Sequence, residues 1–140
     1  MEVSAYCERT LTELDHARLV KLTRQSRVGP PAGRANPIED ALDMAHLVSS
    51  RAVSPDVVTM YSKVLLEDCV TGRRYRLTLC YPSDAEPSAG FVSVMSPVGA
   101  SLLGLRVGAT ARWLTPNGDG GAAEVVALLF QPEASGDFTL

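Results

Sequence analysis

The chain has 140 residues, of which 46% are hydrophobic, so it can bury one ordinary core and still spare some length for an appendage. The formal net charge of −3 and the pI near 5.3 exclude a global basic field that would attract nucleic acid over long distances. We therefore expect no direct sequence-specific binding to nucleic acid.

The amino terminus lacks the basic and apolar segments of a secretion signal, and no run of about 18 uninterrupted apolar residues predicts a membrane helix. The cysteines are odd in number and widely spaced, which fits neither a disulfide framework nor a pair of zinc half-sites. They are Cys7, Cys69 and Cys80. We expect reduced thiols in a cytoplasmic protein.

The first predicted helix covers about residues 11 to 26. Thr10 and Glu13 have the spacing of a capping box, and four leucines fall within one broad arc. Asp15 and Arg18 fall within the same arc, so we expect them at its edges or reaching outward to solvent. The four leucines are Leu11, Leu14, Leu19 and Leu22.

A loop with the sequence VGPPAGRANP separates this helix from a second one. Asn36 can cap the second helix, Pro37 suits its first position, and Glu39 completes the capping-box spacing. Its apolar stripe consists of Ile38, Ala41, Leu42, Ala45 and Val48. Two such helices most simply form an antiparallel hairpin, which we call the arm, about 20 Å long at about 1.5 Å per residue.

From Ser54 onward the apolar period changes from 3.6 to 2, which predicts strands. The first two predicted strands are VVTMYSKVLL and YRLTLCY, which form a hairpin that turns at Gly72. A third strand is FVSVM. The last two are ATARWL and AEVVALLF, joined by the turn TPNGDGGA. AEVVALLF is apolar on both faces, which favours an interior strand. Ser96 and Pro97 can open a short helix through SPVGASLLG, which Gly104 can end. The predicted fold is α+β, with a helical hairpin over residues 1–51 and an antiparallel sheet domain over 52–140.

Several of these segments resemble a known family. MSPVGASLLGLRVGA at 95–109 and VVALLFQPEASGDF at 125–138 are similar to the carboxy-terminal domain of the GreA/GreB transcription factors. VVTMYSKV at 57–64 and LCYPSDA at 79–85 are similar to a subfamily named for its effect on nucleoside diphosphate kinase, which has a VVTMNS start and a YP pair. The resemblance covers about residues 36–140.

The resemblance implies an FKBP-like sheet domain beside a short amino-terminal coiled coil. In Gre factors the sheet domain docks on the rim of the secondary channel of RNA polymerase while the coiled coil enters the channel. RNA polymerase is therefore the expected partner. The matching docking segment is Ser96, Pro97, Val98 and Gly99; Met95 precedes it where some relatives carry a polar or acidic residue.

Gre factors stimulate transcript cleavage with two acidic residues at the arm tip, which can help to hold a second Mg²⁺ in the polymerase. Here no acidic residue lies between Asp15 and Glu39. Glu39 and Asp40 read as acids of a helix's first turn. The expected arm tip, Arg27, Arg34, Asn36 and Glu39, carries a net positive charge. We expect a protein that competes with Gre factors without stimulating cleavage, and that is neither an enzyme nor dependent on a metal or cofactor.

Lys21 and Arg24 lie three residues apart on the first helix and could contact an acidic polymerase surface or nucleic-acid phosphates. The alternative is an ordinary solvated helix face. His16 and His46 are thirty residues apart with no clustered cysteine or acid, so no metal site is predicted. Neither a GxSxG nor a GxxxxGK[ST] motif is present.

Two other functions stay open. An FKBP-like fold can support prolyl isomerisation in an aromatic-lined pocket, although only 6% of the residues are aromatic. The candidates for such a pocket are Phe91, Trp113, Phe130 and Phe138, and we expect several of them to lie in the core instead. The subfamily's name suggests direct binding to nucleoside diphosphate kinase. We expect that link to be indirect and to act through transcription.

Overall fold

A computed structural model describes residues 9–26, 37–114 and 120–137. Helices and strands are mixed along the chain, as the predicted α+β class requires. In chain order they are β1 (Thr10–Thr12), α1 (Glu13–Ser26), α2 (Pro37–Met44), β2 (His46–Val48), β3 (Lys63–Asp68), β4 (Arg74–Cys80), β5 (Phe91–Ser93), α3 (Pro97–Leu102), β6 (Thr110–Leu114) and β7 (Gly120–Phe130). Among the described helices, none has both the length and the apolar character needed to cross a membrane.

Five strands form one sheet in the order β5-β4-β3-β7-β6. The pairs β3–β4, β3–β7 and β6–β7 are antiparallel, and β7 is an interior strand, as its two apolar faces predict. The predicted wholly antiparallel sheet is wrong at one edge, because β5 pairs with β4 in parallel. The loop 81–90 carries the chain back so that Phe91 lies opposite Thr78.

Of the two predicted turns of the sheet, one lies within the described residues. Gly72 has φ 75° and supplies the left-handed backbone of the turn between β3 and β4, as predicted. The turn between β6 and β7 contains residues 115–119, which lie outside the described residues.

The predicted strand that starts at Val57 begins only at Lys63. The residues before it form buried turns, because Val58 donates its amide to Leu105 (2.8 Å) and the Thr59 amide is satisfied by the Ser62 hydroxyl (2.9 Å). Tyr61 then adopts φ 65°, a left-handed conformation that non-glycine residues rarely take.

The side chain of Tyr61 is anchored at both ends. Its ring lies 5.8 Å from the ring of Tyr81, centroid to centroid, and its hydroxyl donates a hydrogen bond to the Asp84 carboxylate. The Asn of the similar VVTMNS pattern falls at this position, and asparagine tolerates left-handed backbone better than tyrosine. These two contacts therefore compensate for an unfavourable residue type.

The ends of the first two helices differ from the prediction. Helix α1 begins at Glu13 and is capped by Thr12, whose hydroxyl accepts the Asp15 amide (3.0 Å); the predicted cap at Thr10 is wrong. Residues 10–12 instead pair in parallel with 46–48, so α2 ends at Met44 and Val48 lies on a strand. The predicted cap Asn36 lies outside the described residues.

The apolar side chains of the arm join those of the sheet in one cluster. Leu19, Ile38 and Leu42 belong to the same buried group as Leu66 and Leu102. Helix α2 packs against both α1 and α3, so the two arm helices do not bury their stripes only against each other. The division of the chain at residue 51 stays a prediction.

The prediction that Asp15 lies at the edge of its helix is wrong, because its side chain is only 2% exposed. Its carboxylate accepts a hydrogen bond from the backbone amide of Met60 at 3.2 Å, so it joins α1 to the turns that precede β3. Burial raises the pKa of Asp15 to about 6; Glu133 adds to the rise, while the Met60 amide, Thr12 and Arg18 oppose it.

Trp113, the chain's single tryptophan, is half-buried on β6 and packs against the core. A Cβ atom at the facing Gly121 of β7 would overlap the indole ring. The glycine therefore makes room for the ring between the two strands.

We predict that Asp15→Asn changes the pH dependence of stability. The folded-state pKa of about 6 exceeds the ordinary value of 3.8, so the folded state binds the Asp15 proton more tightly than the unfolded state. The contribution of this proton to the free energy of unfolding is complete below pH 3.8 and is lost as the pH rises through 6. The free energy of unfolding of Asp15→Asn should therefore rise relative to wild type by up to about 1.4 kcal/mol per pH unit between about pH 4 and 6.

Urea unfolding at four pH values from 4 to 7 measures this difference. Asp56→Asn removes a carboxylate from an exposed ion pair and is the control. Parallel curves for wild type and Asp15→Asn would contradict the prediction.

Candidate docking segment and arm

The docking segment, residues 96–99, forms the start of α3 as predicted. The Ser96 hydroxyl accepts the Gly99 amide at 3.1 Å and donates to the Ser93 carbonyl at 2.7 Å. Pro97 occupies the first turn, where its missing amide hydrogen is not needed. The helix is therefore tied at its start to the end of β5.

Gly99 is buried, and its backbone runs so close to β5 that an added Cβ would overlap the Ser93 carbonyl. Ser96 and Gly99 thus have folding roles that explain their spacing without any partner. Leu102 and Leu103 are fully buried, as predicted for the core side of this segment.

The apolar side chains of the docking segment are partly available to a partner. Pro97 and Val98 are half-buried and uncharged; Val98, like Met95 just before the segment, also packs in part against the core. A partner would therefore recognise this surface by its shape and apolar character.

On the arm, Lys21 and Arg24 are exposed on α1, as a contact role requires. Arg18, which also falls within the apolar arc of α1, is half-buried and lies near the Tyr81 hydroxyl. Burial and the charge of Asp15 raise the pKa of Tyr81 to about 12, while Arg18 opposes the rise. Arg18 therefore belongs to the base of the arm, where α1 meets the sheet.

Of the expected arm-tip residues, only Glu39 lies within the described part of the chain; Arg27, Arg34 and Asn36 lie outside it. Glu39 is half-buried and lines a shallow cleft between the two arm helices. Val20, Thr23, Arg24, Leu42 and Asp43 line the same cleft.

Two residues at the base of the arm were missed as contributors to its position. Asp15 holds α1 to Met60, and the Arg9 guanidinium donates to the carbonyls of Ala100 and Leu103. The Arg9 contacts join residues 91 and 94 positions apart, so no local spacing could have revealed them. An acid inside an apolar arc was the available signal for Asp15.

The histidines are apart in the structure. His16 lies within hydrogen-bonding distance of the Leu42 carbonyl (3.2 Å) and so joins α1 to α2, whereas His46 is exposed on β2. Within residues 9–26, 37–114 and 120–137, the structure brings no three metal-ligating side chains together.

Phe91, Trp113 and Phe130 lie on three different strands, β5, β6 and β7. Phe91 and Phe130 are 37% and 41% exposed, whereas Trp113 is half-buried and packs against Gly121. Phe138 lies outside the described residues. Nothing in this arrangement favours the prolyl isomerase alternative.

We predict that Gly99→Ala destabilises the protein by about 1–3 kcal/mol, because the new methyl group meets the rigid backbone of Ser93. Pro97→Ala changes the same helix at a half-exposed position and should change stability by less than about 1 kcal/mol. Thermal and urea unfolding followed by circular dichroism compare the two variants. Equal stability of Gly99→Ala and wild type would contradict the packing described.

Comparison with known proteins agrees with the resemblance. The family model "Transcription elongation factor, GreA/GreB, C-term" matches residues 53–129. The "Regulator of nucleoside diphosphate kinase" of Escherichia coli (strain K12) is 41% identical over 134 residues, which cover 93% of this chain and 95% of that protein.

Two further relatives carry elongation-factor names. "Transcription elongation factor GreA" of Solidesulfovibrio magneticus is 36% identical over 84 residues, or 60% of this chain and 51% of that protein. The solved structure "Prokaryotic transcription elongation factor GreA/GreB from Nitrosomonas europaea" superposes with a TM-score of 0.68 at 30% identity and covers 89% of this chain and 100% of that one. The chain belongs to the GreA/GreB family and, within it, to the regulators of nucleoside diphosphate kinase.

Proposed function

We propose that this protein is a cytoplasmic transcription regulator that binds RNA polymerase at the rim of the secondary channel and does not stimulate transcript cleavage. The docking segment contacts the rim and the arm points into the channel, so the protein competes with Gre factors for one site. Membership of the GreA/GreB family and the half-exposed apolar start of α3 support this proposal.

The distribution of charge on the arm carries the proposal that cleavage is not stimulated. Holding a second Mg²⁺ takes carboxylate ligands, and a pair of them at the arm tip would be needed. Residues 16–38 contain no acid, and Asp15 is buried at the opposite end of α1. The nearest remaining acid, Glu39, lines the cleft between the helices.

Beyond its first turn, the exposed charges described on α1 are positive. Lys21 and Arg24 would repel a metal ion and attract acidic protein or phosphate groups near the channel. The arm therefore contributes affinity rather than chemistry, and the protein is a regulator rather than an enzyme.

The name of the Escherichia coli relative suggests a link to nucleoside diphosphate kinase. We propose that in this protein the link is indirect and acts through transcription, because the surfaces described above suit a polymerase partner. Co-purification of the kinase in the absence of polymerase would instead support direct binding.

Transcript cleavage in backtracked elongation complexes tests the proposal. We expect the purified protein alone to leave the cleavage rate unchanged, and increasing amounts of it to slow the cleavage that GreA stimulates. Stimulation of cleavage by the protein alone, or no effect on GreA at saturating concentration, would overturn the proposal.

We predict that Val98→Asp weakens polymerase binding at least about tenfold, because a charge is introduced at an apolar contact. Val70→Asp makes the same change at a side chain that is 90% exposed on the β3–β4 turn, and it should leave the affinity unchanged. Fluorescence anisotropy with core polymerase measures both. Val98→Thr, which keeps the shape of the side chain, serves as a milder variant should Val98→Asp unfold the helix.

A further inference from the structure

The arm and the docking segment are joined through Arg9. One guanidinium nitrogen of Arg9 donates to the Ala100 carbonyl at 2.8 Å and to the Leu103 carbonyl at 2.9 Å. These carbonyls belong to the end of α3, where the last turn leaves carbonyl groups without helical partners and a positive charge is favourable. Arg9 is thus a cap for α3 that comes from a distant part of the chain.

Both arm helices are attached to the segment that Arg9 holds. Arg9 leads directly into β1, and β1 leads into α1 without a loop. The Arg9 carbonyl accepts the amide of His46 at 2.8 Å, which anchors the strand that follows α2. Because no flexible linker intervenes, the position of Arg9 sets the direction in which α1 leaves the sheet.

The docking segment lies at the other end of the same short helix. Helix α3 has six residues and is therefore about 9 Å long. Its start presents Pro97 and Val98, while its end receives the Arg9 guanidinium. The docking segment and the Arg9 contact that precedes the arm thus lie at the two ends of one rigid element.

We propose that Arg9 is a positioning residue that sets the direction of the arm relative to the docking segment, so that both contact polymerase at the same time. This inference rests on the proposed function. Fixing two weak contact surfaces in one geometry raises the effective concentration of the second once the first is bound. Loss of the Arg9 contacts leaves α1 attached through Asp15 and the β1–β2 pairing, but its direction relative to the docking segment varies more and its contribution to affinity falls.

A distance measurement tests the geometric part without polymerase. Spin labels are placed on the exposed Cys69 and on Lys21→Cys, in a Cys7→Ser background, with Cys80 protected by burial. We expect Arg9→Gln to broaden the distance distribution at least about twofold and Arg9→Lys to broaden it less, because an ammonium group keeps the charge.

Arg106→Gln is the control, because it removes an arginine from the exposed ion pair with Asp56 and should leave the distribution unchanged. An unchanged distribution in Arg9→Gln would overturn the proposal.

A double-mutant cycle on polymerase affinity tests the functional part. We expect Lys21→Glu with Arg24→Glu to weaken binding about fivefold or more in the wild type, through lost charge complementarity. The same pair should have a clearly smaller effect in Arg9→Gln, because an arm of less defined direction contributes less to binding. Equal losses in both backgrounds would overturn the positioning role.

The two measurements separate the inference from the function on which it rests. If Arg9 had only a structural role, Arg9→Gln would lower the melting temperature, while its loss of affinity and that of Lys21→Glu with Arg24→Glu would be additive. That result would contradict the proposal. If the wild type does not bind polymerase, the proposed function fails, while the distance distribution still decides whether Arg9 sets the direction of the arm.

Discussion

One glycine holds the three parts of this protein together. Gly104 follows α3, donates its amide to the Val58 carbonyl at 2.8 Å and accepts the Thr10 amide at 3.0 Å. Its φ of 83° is a left-handed conformation, and a Cβ there would lie 3.0 Å from the Thr10 carbonyl oxygen. The sheet, the arm and the docking helix can meet at this point because the residue has no side chain.

The base of the arm uses charged groups for folding. The carboxylate of Asp15 is buried against the Met60 amide, and Arg18 opposes the rise in the pKa of the Tyr81 hydroxyl. Burying a carboxylate is unfavourable, but the directed hydrogen bond that it accepts from the Met60 amide allows fewer packing arrangements than apolar contact alone. The hydrogen bond between Asp15 and Met60 therefore helps to fix the direction of α1, although burying the carboxylate is unfavourable.

Elements with local signals could be predicted from the sequence. The capped start of α3 at Ser96, the turn at Gly72 and the interior position of β7 follow from spacing and composition within a few residues. The remaining features depend on distant partners: Thr10 is a strand residue because residues 46–48 lie beside it, and Arg9 gains its role from a helix about ninety positions away. For the docking segment, local spacing predicted the structure of α3, while its proposed role in binding rests on family membership.

The packing of Trp113 against Gly121 has a practical consequence for measuring how the molecule comes apart. The only indole fluorophore lies in the sheet, whereas the far-ultraviolet dichroism is dominated by the arm helices. The two optical signals therefore monitor separate regions of a single chain without any label. Because Leu19 and Leu42 share one apolar cluster with the sheet, both signals should change at the same denaturant concentration.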